Sequence, residues 1–266
     1  MELAEFSGTI LYGGRRRHPT HGVVEVLGYQ NTAVNLATGP NAMLLHLPSL
    51  GVKSSQFIGV GRHGDVLSRM VDAVRPVAAE ADIEWMDSGC AAEVFEHDIY
   101  TVVLAGDPTQ ITAALAQVPA HKRPVVNPEL FEFYRDVFPC HTVALCCFDN
   151  TEEQRAKPLL IWYEPIDQDR IVLPALDCHT GAVPDRDVLV PRDHWLLFGS
   201  DETVQEWGEP VEYAAGMRHS LRALLPDRVT GIEIAGELTA NGDFAISLAD
   251  LRRNDLTKIE QVFPSF

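Results

Sequence analysis

The chain has 266 residues, of which 46% are hydrophobic and 22% charged, a balance that excludes disorder and low complexity and provides for a sizeable core. Thirty-eight acidic against 21 basic residues give a net charge of −17, a field that repels phosphate backbones and anionic membrane faces, so neither nucleic acid nor a membrane is expected as a partner. No apolar run reaches the roughly 18 residues of a spanning helix, and the start Met1-Glu2-Leu3-Ala4-Glu5 lacks the basic and apolar regions of a secretory signal; the expected location is the cytoplasm. The five cysteines, at 90, 140, 146, 147 and 178, show neither zinc-ribbon nor disulfide spacing, and reduced thiols are expected.

In chain order, the first 60 residues read as strands and turns. Gly22 to Tyr29 is a β-rich run preceded by the turn residues Gly13, Gly14 and Pro19, and Ala42 to Leu47 is a second strand. The intervening stretch from Gln30 to Asn41 suits a long polar loop. Val66, Leu67, Met70, Val71 and Val74 recur at helical spacing and Pro76 ends that helix. After a β-rich run from Ile99 to Ala105, Asp107-Pro108 and Asn127-Pro128 each supply a cap and a first-turn proline for a helix. Strands are then expected at 141–148, 159–163, 171–176 and 194–198. Their succession, with short links, favours antiparallel pairing. A helix carrying Met217, Leu221, Leu224 and Leu225 precedes a last hairpin turning at Asn241-Gly242.

Helices and strands are grouped and do not alternate, so the expected fold is α+β, a largely antiparallel sheet with helices packed on it. A single domain over 1–266 is the expectation, with an N-terminal subdomain 1–76 and a boundary at 76–90 as the alternative.

Several stretches in order carry a resemblance: Val26 to Tyr29, Asn41 to Pro48 with its Leu-Pro step, Tyr100 to Leu104 followed by two helices, Phe133-Tyr134, Ala144 to Phe148, and Lys157-Pro158-Leu159-Leu160. Over residues 22–200 the chain resembles a bacterial family of uncharacterised proteins, a domain of unknown function whose members often look exported; with no signal expected here, this chain is expected to depart from them. The resemblance implies no catalytic residue.

No motif names a reaction, so candidate chemistry rests on polar residues at strand ends. Leu176-Asp177-Cys178-His179-Thr180-Gly181 follows a strand, and in an extended segment Asp177 and His179 share a face while Cys178 points away. His179 is then a candidate acid/base with Asp177 fixing its tautomer, because imidazole titrates near neutral pH. The same residues also suit capping of the turn at Thr180-Gly181. Asp193-His194 forms a second acid and imidazole pair, and pairing of neighbouring strands would bring His194 and His179 to one cleft. Cys140, beside His141, and Cys90 are weaker nucleophile candidates, whereas Cys146 and Cys147 lie in an apolar strand and read as core thiols.

Gln30, Asn31 and Asn41, with Tyr163 and Glu164, offer amide, phenol and carboxylate groups to orient a small ligand, or else fasten a long loop. Arg16, in Gly13-Gly14-Arg15-Arg16-Arg17, either clamps an anion or belongs to a solvated hairpin tip. His179, His194 and Asp177 could supply a three-ligand metal set, and His18-x-x-His21 lies in a Pro-containing turn whose neighbouring arginines disfavour a cation and suit a surface loop; a metal is not expected, and no cofactor is readable. Gly59 to Gly64 matches Gly-x-Gly-x-x-Gly but lacks the α/β alternation of a dinucleotide site. Two classes of function follow: an amide or ester hydrolase acting on a small molecule or peptide, or a non-catalytic binding or assembly protein that uses its acidic surface and a sheet edge, self-association included.

Overall fold

Alternating apolar side chains along residues 6–33 build a long hairpin, turning at Pro19-Thr20-His21, in a computed structural model that describes residues 6–33, 39–75, 93–202 and 206–263. The elements in chain order are β1 (Phe6–His18), β2 (Gly22–Ala33), β3 (Pro40–Leu47), α1 (Val66–Val74), β4 (Glu93–His97), β5 (Tyr100–Ala105), α2 (Ile111–Ala114), α3 (Pro128–Val137) and β6 (Thr142–Asp149). They continue with β7 (Leu159–Tyr163), β8 (Arg170–Leu173), β9 (Leu189–Ser200), β10 (Glu209–Pro210), α4 (His219–Arg222), β11 (Arg228–Ala240), β12 (Asp243–Ser247), α5 (Leu248–Arg252) and β13 (Glu260–Val262).

The strands form three sheets: six strands in the order β10-β11-β9-β1-β2-β7, four in the order β3-β6-β5-β4, and three in the order β13-β12-β8. All pairings of these strands are antiparallel except β1 with β9, which run parallel with Thr9 opposite His194. The fold is therefore strand-rich with mostly antiparallel sheets and few helices, consistent with the broad α+β expectation. Partner choice differs from it. The successive strands β6, β7, β8 and β9 do not pair with one another; each joins a partner distant in sequence. Asn241-Gly242 also makes no hairpin, because β11 pairs with β9 in one sheet while β12 pairs with β8 in another. The proposed boundary at 76–90 lies outside the described residues.

Layering follows from the two faces of each sheet. Leu11, Leu27, Leu196 and Phe198 turn inward from the six-stranded sheet to meet Met43, Leu45, Cys146 and Phe148 of the four-stranded sheet and Ile171, Leu173 and Phe244 of the three-stranded one. On the opposite face of the six-stranded sheet, Tyr12, Val24, Val26 and Leu197 receive Val66, Leu67 and Met70 of α1. The far face of the four-stranded sheet, through Val103, Val143 and Leu145, receives Leu130, Phe131 and Tyr134 of α3. Because both faces of β6 are covered, it is apolar from Val143 to Phe148, with Cys146 and Cys147 fully buried, as the sequence implied.

Asn127 caps α3 by accepting from the Glu129 amide at 3.1 Å, and Asp107 likewise accepts from Thr109 at 3.1 Å. Gly13 and Gly14, expected in a turn, instead lie inside β1. A Cβ on Gly13 would stand 2.5 Å from Ile171 Cγ2, so glycine is what lets β8 pack against β1. Of the arginines that follow, only Arg17 is exposed near the tip. Arg15 is 4% exposed, opposite Glu25 in register, and donates to its carboxylate at 2.8 Å and to the Asp167, Gln168 and Arg170 carbonyls.

Candidate functional site

The strand β8 ends at Leu173, where no described strand continues its ladder, and the chain then runs through Pro174 to His179. Side chains replace the missing backbone partners. Asp243, at the start of β12 and 2% exposed, accepts the Ala175 and Leu176 amides on Oδ1 at 2.8 and 3.0 Å. Arg192 of β9 donates to the Ala175 carbonyl at 2.6 Å, so that peptide is held at both ends. Asn241 accepts the Asp177 amide at 2.8 Å and donates to the Asp177 carbonyl at 3.0 Å. The Asn-Gly segment read as a hairpin turn thus fastens this loop.

A cavity of about 170 Å³ lies where the sheets meet, bounded by β3 from Ala42 to His46, by Thr9 and Tyr29 of the long hairpin, by Pro191, Arg192 and His194 of β9, and by the loop from Pro174 to His179. His179, Asp177 and His194 all line it. The strand pairing expected to join them is not the reason, since β8 and β9 lie in different sheets. The loop reaches β9 through Arg192 and β12 through Asp243.

Within the loop, Asp177 accepts the His179 amide at 3.0 Å and lies 2.7 and 2.8 Å from His179 Nδ1 through its two oxygens. The turn-capping and tautomer-fixing roles therefore coexist in one carboxylate. Nδ1 carries the proton toward Asp177, and Nε2 makes no hydrogen bond to the described residues. His194 has the complementary arrangement: its Nδ1 accepts the Asp193 amide at 3.2 Å, which places the ring proton on Nε2. Burial, together with the Arg192 guanidinium, holds His194 down at about 4, so it is a neutral donor at pH 7. The guanidinium of Arg192 is spent on the Ala175 and Gly242 carbonyls and the Thr239 hydroxyl. Cys178, also on the cavity lining, lies beside the Tyr134 hydroxyl, and burial pushes its thiol up to about 12.

The other sequence candidates lie elsewhere. Asp193 faces away from the cavity and accepts the Gly8 amide at 2.8 Å. Asn41 is buried, accepting the Ala42 amide at 2.8 Å and donating to Asn150 at 2.9 Å, and so fastens β3. Asn31 stands behind the cavity wall, donating to the Tyr29 hydroxyl at 3.1 Å, while Gln30 is half-buried on the opposite face of β2. Arg16 is drawn to the Leu225 carbonyl at 2.6 Å and Asp201 at 3.1 Å. Tyr163 is fully buried and donates to Glu25 at 3.2 Å, and Glu164 is exposed beyond the end of β7. Cys140 is exposed, but the His141 ring turns inward against Phe138 and His46. Cys90 lies outside the described residues. Among the described residues no three His, Cys, Asp or Glu side chains converge to hold a metal.

Asp243, Arg192 and His46 carry no sequence reading, and Asn241 has one only as a turn residue. His46 reaches Asp243 Oδ2 at 2.7 Å through Nε2 and packs its ring on Phe138 at 4.2 Å. A histidine in an apolar strand and an aspartate opening another are faint signals of a buried pair, and nothing local links them across 197 residues.

No protein-family model matches the chain, and no curated protein is similar to it. Among solved structures, baculovirus P35 is similar at a TM-score of 0.44 and 14% identity, over 98% of this chain and 92% of that one. A caspase-8/P35 complex gives 0.44 and 12% over 97% and 91%, and a mutated P35 after caspase cleavage gives 0.44 and 16% over 72% and 65%. With TM-scores below 0.5, the function is left to be argued from the chain's own side chains. No helix among the described residues is long and apolar enough to cross a membrane.

Proposed function

We propose that the cavity binds a small molecule or the end of a peptide and that the chain hydrolyses an amide or ester there. The observation that carries this reading is the pair of imidazoles with opposite hydrogen-bonding sense on one cavity, His179 with Nε2 free to accept a proton and His194 with Nε2–H ready to donate. Water attacks the substrate carbonyl carbon as His179 Nε2 takes its proton, and Asp177 stabilises the resulting imidazolium. Negative charge gathers on the carbonyl oxygen, which accepts from His194 Nε2–H. Collapse breaks the bond to the leaving alcohol or amine, and His179 returns the proton to it. With the Cys178 thiol pushed up to about 12 and so protonated at pH 7, direct attack by water is favoured over a thioester.

The test is hydrolysis of p-nitrophenyl acetate by wild type, His179→Gln and Asp177→Asn at matched concentration. Loss of the catalysed rate in His179→Gln, with the melting temperature unchanged, supports the reading. Equal rates, or a destabilised variant with unchanged rate, overturn it.

The sheet edge favours a second reading, self-association. From Thr230 to Ala240 the outer side of β11 pairs with no described strand, and Leu189 and Leu238, 59% and 64% exposed, share one face of its pairing with β9. A second copy added along this edge predicts a dimer in light scattering that is lost on Leu238→Lys; a monomer at every salt and protein concentration removes the reading.

A further inference from the structure

The cavity beside His179 is lined by five successive residues of β3, Ala42 to His46. Side chains of a strand alternate between its two faces, so a hollow on one face of β3 would meet only every second residue. A hollow that meets five in a row runs along the strand's edge. β3 is the outermost strand of its sheet, with β6 on one side and no described strand on the other.

The hydrogen-bond register fixes which groups face that edge. Gly39, just before β3, accepts the amide of Asn150, opposite it in the register, at 3.0 Å. In an antiparallel pair such bonded positions recur every second residue, so Asn41, Met43, Leu45 and Leu47 bond to β6, and Ala42, Leu44 and His46 turn their main-chain groups outward. Ala42 agrees, because its amide is taken at 2.8 Å by Asn41 Oδ1 and not by β6. The amides and carbonyls of Leu44 and His46 meet no hydrogen-bond partner among the described residues. His46 is 2% exposed and Leu44 is half-buried. Main-chain groups so placed cost free energy when unmet, which a ligand carrying a complementary row recovers.

The side chains around this edge favour an uncharged ligand. Arg192 is engaged with three oxygens and Asp177 with His179, while Met43, Leu45, Tyr29 and Leu176 supply apolar surface. We propose that an extended segment of peptide adds to β3 as an antiparallel strand inside this cavity, exchanging paired main-chain hydrogen bonds with Leu44 and with His46. The proposal rests on the binding part of the reading above and does not need hydrolysis. Two such pairs take three residues of peptide. The middle one lies opposite Leu45 and shares its face, so an apolar residue suits it. Its own amide and carbonyl point away from β3, toward the lining that β9 and the loop supply, where His194 and His179 stand.

The experiment titrates acetyl-Ala-Val-Ala-methylamide, neutral at both ends, into the full chain and into His179→Gln, following the Leu44 and His46 amide resonances and their hydrogen exchange. Saturable shifts and slowed exchange at both amides are expected in both proteins. The same peptide N-methylated at its two alanines lacks the donors to β3 and should bind about tenfold or more weakly. Leu44→Pro removes one outward amide without touching the bonds to β6, and should weaken binding several-fold; the N-methylated peptide serves if that variant fails to fold. No saturable binding, equal affinity for the N-methylated peptide, or binding that leaves the Leu44 and His46 amides unmoved overturns the proposal. Binding at these amides without cleavage supports it and counts against hydrolysis alone, whereas cleavage with both amides unmoved supports hydrolysis and overturns strand addition.

Discussion

Replacing Asp243 by alanine removes the acceptor for three groups at once: the Ala175 amide, the Leu176 amide and His46 Nε2, at 2.8, 3.0 and 2.7 Å. The residue is 2% exposed, so water does not reach the orphaned donors without rearrangement. Each buried donor left unmet costs about 1–3 kcal/mol. The imidazole can escape part of that by moving its proton to Nδ1, so the two backbone amides set the minimum and the expected loss is about 4 kcal/mol. Asparagine separates the contributions. Its carbonyl oxygen still accepts both amides, and its Nδ2 donates to a His46 ring that has switched tautomer, so Asp243→Asn should cost only about 1 kcal/mol. Urea unfolding of the two variants gives both numbers, and hydrogen exchange at Ala175 and Leu176 shows whether the loop itself is loosened. Equal losses for alanine and asparagine, or an alanine loss under about 1 kcal/mol, would refute the argument that this carboxylate holds the loop.

Acid should destabilise the protein through its buried imidazoles. Burial, aided by Arg192, holds His194 at about 4, and burial, aided by His46, holds His141 at about 3, against the ordinary 6.5. Between pH 6.5 and 4 the unfolded chain therefore binds more protons than the folded one, and stability present above 6.5 is lost as pH falls through that window. The slope is about 1.4 kcal/mol per pH unit for each histidine, and His194→Gln should remove one histidine's share; an unchanged slope from urea unfolding at stepped pH counts against the burial argument. Thiol reactivity should divide in the same way. With burial pushing Cys178 and Cys147 up to about 12, iodoacetamide at pH 8 should modify the exposed Cys140 in the native protein and spare those two, as read by peptide mass; rapid labelling of Cys178 would reopen it as a nucleophile.

What the sequence revealed were the local decisions. The apolar stripe of Val66, Leu67, Met70 and Val71, the caps at Asp107 and Asn127, and the strand from Leu159 to Tyr163 form where spacing and capping chemistry place them, because neighbours in the chain settle these features. Partner choice between strands is non-local and left no such mark. Thr9 lies opposite His194, and β12 leaves β11 for β8, because whole faces must be buried against other sheets. The arginine run shows the cost of reading charge without its partner: Arg15 looks solvated until Glu25 stands opposite it in the hairpin register. For the site, Asp177 and His179 were legible because their contact spans two residues, and the Asp243 support was not, because its donors come from positions 46, 175 and 176.

The absence of a strand partner and the presence of a cavity have one physical origin. A chain leaving β8 between three sheets has no edge against which to continue a ladder, yet its amides are buried and must be met. Asp243, Arg192 and Asn241 meet them with side chains that reach across the junction, and side chains spaced in this way leave room between them that a ladder at strand spacing would fill. The same arrangement fixes the Asp177 peptide at both its amide and its carbonyl, two residues before His179. An imidazole that is itself exposed is thereby held by an anchored carboxylate, so its orientation does not depend on its own burial. That separation, a solvent-accessible imidazole on a buried polar frame, lets the ring stay accessible without losing its direction.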